Sequence, residues 1–230
     1  MRTRGLIIVG VIVAVLIIAN LILPGLVSSY ATQSLKESTQ SESVTVQVDK
    51  APVVMMLAGR FDQVTVDTVN SKIDKIIFSS MHAVLTDVQV NVKALVTENK
   101  FILQSVGDLT VTGAVSQAEL ARFLDSNVKG SQHAEVTITP EKVILSTHLA
   151  IGSFVQVMIT LEGQVVSDGQ RLKFVTQRFL VNNTSVGNIG GTMLTEIPLL
   201  DLSKLPFAAT IQNIMLQNGQ IIITAGNQTE

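Results

Sequence analysis

The chain has no cysteine and no tryptophan among its 230 residues. Without cysteine there is no thiol catalysis, no CxxC redox chemistry, no thiolate metal site and no disulfide framework, so burial and backbone pairing must hold the fold. Aromatic residues make up only 4%, which leaves few of the stacking platforms that hold bases. Charge is scarce too, at 15% of residues with a formal net charge of −2. Setting Arg2 and Arg4 aside, 14 basic residues face 18 acidic ones. Nothing there clusters positive charge, so nucleic-acid binding is not expected. The histidines, His82, His133 and His148, are too widely spaced for a local ligand pattern, and HExxH, GxSxG and Walker sequences are all missing. Carboxylates stand singly on polar faces or in turns, as at Asp62, Asp67, Asp87 and Glu162. No catalytic residue, metal site or cofactor is expected.

Valine, isoleucine and leucine are what the chain has in quantity. Leu6 to Leu23 is an 18-residue run without a charged side chain. As a helix it would span roughly 27 Å, close to the hydrocarbon thickness of a bilayer. Arg2 and Arg4 precede it and no Lys or Arg follows until Lys36, which predicts a cytoplasmic N-terminus and an extracytoplasmic remainder. Residues 1–24 thus read as a transmembrane signal-anchor. The competing reading is a signal peptide cut after Ala31, where Ser29 and Ala31 supply the small residues; against it, the apolar run is longer than a usual h-region. Residues 25–43 form a Ser/Thr-rich stalk, open to either a frayed helix or a flexible linker.

From Val44 the dominant signal is apolar–polar alternation, the mark of strands with one buried face. Val44, Val46 and Val48 show it, as do Val88, Val90 and Val92, and most cleanly Val155, Val157, Ile159 and Leu161. Weaker strands are predicted over 60–68, 72–78, 101–105, 109–115, 134–139, 143–151, 170–181, 210–216 and 220–224. Asp168-Gly169, Asn218-Gly219 and Pro140-Glu141-Lys142 supply turns between successive strands. Ser116-Gln117-Ala118-Glu119 reads as a capping box ahead of the apolar stripe Leu120, Phe123 and Leu124, ending near Asn127. Val53–Ala58, closed by Gly59, reads as one or two helical turns, and Val186–Ile197 as a further short helix. The strand over 170–181 breaks alternation: either a bulge changes its register or both faces are apolar. Arg171, Lys173 and Arg178 on that strand are candidates to meet an anionic headgroup, with a solvated strand face as the plainer account.

The expected fold is therefore α+β and β-rich: one curved, largely antiparallel sheet of about ten strands with two or three short helices, behind the N-terminal transmembrane helix.

Several short motifs carry a family resemblance. Ala51-Pro52 with an apolar turn ending in Gly59-Arg60-Phe61 comes first, and a late Leu205-Pro206-Phe207 is followed by Ile211, Ile214, Asn218-Gly219 and Ile221-Ile222-Ile223. In this order they resemble the LmeA-like family of bacterial cell-envelope proteins. The resemblance covers residues 44–225, leaving a tail over 226–230. It implies a non-enzymatic phospholipid-binding protein with a sheet that wraps a helix, and no catalytic residues. Pro52, Gly59, Pro206, Phe207 and Gly219 match the motifs, each with a structural explanation in turn geometry or core filling.

The expected function is binding of a phospholipid or lipid-linked molecule, such as a lipid-linked glycan, at the outer face of the cytoplasmic membrane. The alternative is a structural module holding an envelope protein partner. A weaker third is an envelope hydrolase with dispersed acids. If an apolar groove exists, its wall is expected from Val155, Val157, Ile159 and Leu161, facing Phe174 and the helix bearing Leu120, Phe123 and Leu124. The competing account is that these residues simply pack on one another.

Overall fold

A computed structural model describes residues 24–37, 39–49, 53–98, 100, 102–128, 130–151, 155–186, 196–204 and 209–227. The apolar run over 6–23 lies outside them, and no described helix is long and apolar enough to cross a membrane. The chain divides into two compact units. One comprises the residues up to Thr68 with His82–Leu109, the other Val69–Met81 with the chain from Thr110 onward.

In the first unit residues 24–37 are helical (α1). Strand β1, Ser43–Asp49, is a clean alternation: Val44, Val46 and Val48 are buried while the residues between them are exposed. A 3-10 turn over Val53–Ala58 follows. It closes at Gly59 with φ +75°, where an added Cβ would lie 2.1 Å from the Val90 carbonyl oxygen. Only glycine fits that turn. Strand β2, Arg60–Ile73, and strand β3, Ile76–Val90, begin and end in this unit respectively. Here β2 lies between β1 and β3, and the short β4, Leu103–Ser105, pairs with β3. Val92 does not continue the strand. The Asn91 side chain accepts from the Ala94 amide at 3.0 Å and caps helix α2, Val92–Glu98, which buries Ala94 and Leu95.

The second unit opens with the tip of the β2–β3 hairpin. Residues 72–78 were expected as one strand, but the chain reverses in the middle of them, at Asp74-Lys75. Asp74 adopts φ 53°, a conformation Asp tolerates better than most residues, so the turn needs no glycine. Strand β5, Leu109–Ser116, leads into α3, Gln117–Asn127. Six longer strands follow: β6 (Ser131–Ile138), β7 (Val143–Ile151), β8 (Val155–Ser167), β9 (Arg171–Val181), β12 (Thr210–Gln217) and β13 (Gln220–Gly226). Between β9 and β12 come the short β10, Thr184–Ser185, and β11, Glu196–Asp201. Of the short helix expected over Val186–Ile197, residues 187–195 lie outside the described set. Glu196 and Ile197 belong to β11, held by pairing with Val175 and Phe174.

The described strands fall into two sheets rather than one. In this unit β5 pairs with β13 and β13 with β12. The other sheet runs β6-β7-β8-β9, with β10 and β11 both along the outer edge of β9. All of these pairings are antiparallel. Alternation reveals that a strand has one buried face but not which sheet owns it, which is why a single sheet was expected.

Candidate functional site

Register places most of the buried apolar side chains of the β6–β9 sheet on one face. Val136, Leu145, Leu161 and Phe179 form one cross-strand row. Thr147, Ile159 and Val181 form the next, and Leu149 with Val157 the one after that. In the opposite direction Val165 pairs with Phe174, and Phe174 with Ile197.

A bulge makes this continuity possible. Glu162 pairs with Arg178 and Gly163 with Thr176, so β9 carries Gln177 as an extra residue. The extra residue flips the alternation, bringing Leu172 and Phe174 to the same face as Phe179 and Val181. Of the two readings of this strand, the bulge is the one observed, and Arg178 therefore leaves the face of Leu172 and Phe174. Gly163 sits at the crossing point. A Cβ there would lie 2.1 Å from the Val175 carbonyl oxygen and 2.8 Å from Cζ of Phe174, so the bulge and the buried ring both depend on its absence.

Burial along this face is graded. Phe174 and Val143 are fully buried, with Leu172, Ile138 and Leu145 nearly so. Leu149, Val157, Phe179 and Val181, toward the β7–β8 connection, are only half-buried. Helix α3 packs against β6 in the same unit. Its start follows the expected chemistry in part: the Ser116 hydroxyl accepts from the Glu119 amide at 3.3 Å. The reciprocal half of the capping box is not made. The Ser116 amide donates to the Ser79 hydroxyl, and the Glu119 carboxylate turns to Arg122 instead.

Leu124 and Val128 of the helix end meet Leu145, Leu149, Ile159, Leu161 and Ile197 around an apolar cavity of about 30 Å³. Three of the expected wall residues, Leu124, Ile159 and Leu161, thus converge on one space. Leu120 and Phe123 are buried on α3, and Phe174 lies beyond the cavity on the same sheet face. Val157 sits at the half-open end, and Val155 opposite Ile151 in β8, its side chain outside the described set. Of the motif residues, Gly59 and Gly219 occupy turns with positive φ. Pro52, Pro206 and Phe207 lie outside the described residues.

The cations suggested for β9 are all partnered. Arg171 lies 3.7 Å from Asp201, and Lys173 lies 3.0 Å from Glu196. Arg178 shares Glu162 with Lys142, at 4.0 and 2.9 Å. His82 contacts Asp67 at 2.7 Å on an exposed surface. No group of three His, Asp or Glu capable of holding a metal occurs among the described residues.

One further feature was missed from the sequence. A hollow of about 260 Å³ lies on the other side of α3, lined by Lys72, Asp74, Lys75, Glu119 and Arg122 among others. Lys72 and Lys75 had been assigned to an unbroken strand. The turn that brings them to α3 carries no glycine or proline to announce it.

No curated protein and no solved structure shows significant similarity to the chain. The model of a protein family described as LmeA-like phospholipid-binding matches residues 18–226. An apolar sheet face closed at one end and half-open at the other is in keeping with that description, and the chain belongs to the LmeA-like phospholipid-binding family.

Proposed function

We propose that this chain binds a phospholipid or lipid-linked molecule without chemical turnover, on the apolar face of the β6–β9 sheet. The observation that carries the reading is the burial gradient on that face. Toward the β7–β8 connection Leu149, Val157, Phe179 and Val181 remain half-buried together, a contiguous apolar strip that a ligand can cover. An acyl chain laid along them is sheltered at about 0.8 kcal/mol per methylene, so eight methylenes contribute about 6 kcal/mol. The 30 Å³ cavity behind them has room for little more than the end of such a chain. Family membership supports the ligand class.

The same reading places the domain over 44–225 outside the cytoplasmic membrane, tethered by a transmembrane helix over residues 6–23. Helix α1 would then continue that tether outward. Ala31 supports a retained anchor over a cleaved signal, because it is fully buried within α1 rather than in an extended, accessible segment. Fusing a reporter active only outside the cytoplasm to the C-terminus tests the orientation, and an inactive reporter would reverse it.

Native mass spectrometry of the full chain released from detergent tests the ligand. The expected result is a co-purifying diacyl lipid that exchanges with added phospholipid. A chain that stays lipid-free in the presence of excess phospholipid and captures an envelope protein would favour the interaction module.

A further inference from the structure

The hollow beside α3 has a charge arrangement that folding alone does not require. Glu119 keeps only 9% of its side chain exposed, and one carboxylate oxygen bonds Arg122. The other, Oε2, is buried without any hydrogen-bond partner. It is the only such side-chain atom among the described residues. Leaving a buried acceptor unsatisfied costs stability, and an ionised one costs more. Across the hollow, Lys72 and Lys75 line the wall from the hairpin side. Neither has a carboxylate partner among the described residues, in contrast with Arg171, Lys173 and Arg178, which do. The space of about 260 Å³ is that of roughly eight or nine waters, enough for a small polar group.

On the hairpin wall two ammonium groups, without a carboxylate partner among the described residues, outnumber the one carboxylate beside them, Asp74; with the under-satisfied Glu119 on the other wall, they complement a ligand with the reverse pattern. We infer that this hollow binds a phosphate ester that also carries an ammonium donor. Its phosphate lies between Lys72 and Lys75, and its N–H groups meet Glu119. Arg122 connects the two halves. Its side chain is 68% exposed, so that only the pair with Glu119 holds it in place. Turning its guanidinium toward the phosphate exchanges one charge-assisted pair for another and uncovers Glu119 for the ammonium. The chemistry fits both a zwitterionic lipid headgroup and a soluble phosphate ester. Taken as a headgroup, the inference rests on the lipid-binding reading above.

Calorimetric titration of the full chain in detergent micelles with phosphoethanolamine, phosphocholine and inorganic phosphate tests this. Phosphocholine keeps the phosphate and the positive charge but has no N–H to donate, so phosphoethanolamine should bind at least tenfold more tightly. Lys72→Ala combined with Lys75→Ala should weaken all three ligands about tenfold or more. Glu119→Gln, which also releases Arg122 from its ion pair, should leave inorganic phosphate binding unchanged or tighter and bring phosphoethanolamine and phosphocholine to the same level. No binding by the wild type, equal binding of all three ligands, or variants indistinguishable from wild type would each overturn the inference.

A parallel arm with dioleoyl phosphatidylethanolamine separates this inference from the function it deepens. Retention of that lipid with equal affinity by wild type and the double lysine variant removes the headgroup site and leaves lipid binding standing. The expected titrations with no diacyl lipid retained support a site for a soluble ester and remove lipid binding. Melting temperatures of the lysine variant, altered only at exposed positions, serve as the folding control.

Discussion

Helix α3 has two sides that differ in almost every physical respect. On one, Leu124 and Val128 close over an apolar sheet face and leave a cavity of about 30 Å³. On the other, Glu119, Arg122 and Ser126, spaced to share a helix face, open onto a charged hollow of about 260 Å³. The apolar side is small and nearly filled at its inner end. The charged side is roomy, with one carboxylate oxygen unsatisfied and two lysines that have no carboxylate partner among the described residues. Apolar packing has consumed most of its free space, whereas the charged side has kept both space and unmade bonds. An amphipathic ligand needs both, a surface for chains and a set of unmade polar contacts for its head. The contrast also separates the two proposals experimentally, since damage to one side should leave the other in place.

The largest effect is expected on the apolar side, at the bulge. Gly163→Val puts side-chain carbon where the Val175 carbonyl and the Phe174 ring already lie. It should destabilise by roughly 3 kcal/mol or more, visible as a fall in melting temperature or loss of soluble protein. Ile159→Trp comes next. If space for an acyl chain extends past the cavity, the variant stays folded and loses lipid uptake. If the 30 Å³ is all there is, overpacking costs about 1–3 kcal/mol and the folded fraction takes up lipid as before. Melting and lipid retention measured on one preparation decide between them. Removing the helix cap with Ser116→Ala should cost about 1 kcal/mol in chemical denaturation and, by loosening α3, perturb both sides together. The smallest effect is expected from Glu119→Gln: a melting temperature unchanged or slightly raised, because the buried unsatisfied oxygen loses its charge. A marked loss of stability there would mean that Glu119 is a structural ion-pair member rather than a group held ready for a ligand.

Much of the strand content was legible because alternation and burial coincide. Val44, Val46 and Val48 were readable as a half-buried strand, and in β8 Ile159 and Leu161 are buried where alternation put them, with Val157 half-buried. So was α3, since a Ser cap and an apolar stripe at helical spacing leave few alternatives. Bulges formed by ordinary residues hid the rest. Asn70, Asp87 and His133 adopt positive φ inside strands, and burial changes phase around the first two, from Thr68 to Ser71 and from Leu85 to Val88. A residue that slips register leaves no glycine or proline to mark it. The hairpin at Asp74-Lys75 was missed for the same reason, and with it the approach of Lys72 and Lys75 to Glu119. Of the expected wall, Leu124, Ile159 and Leu161 converge as the strand and helix periods implied. Leu145, Leu149 and Ile197 needed cross-strand register, which one chain's periodicity does not contain.

The most direct test of lipid binding on the apolar face is photocrosslinking with a phospholipid that carries a diazirine near the end of one acyl chain, mapped by peptide mass spectrometry on the full chain. Crosslinks concentrated on Leu149, Val157 and Val181, and abolished by excess unlabelled lipid, are the predicted result. Labelling confined to other surfaces, or insensitive to competitor, would contradict the account.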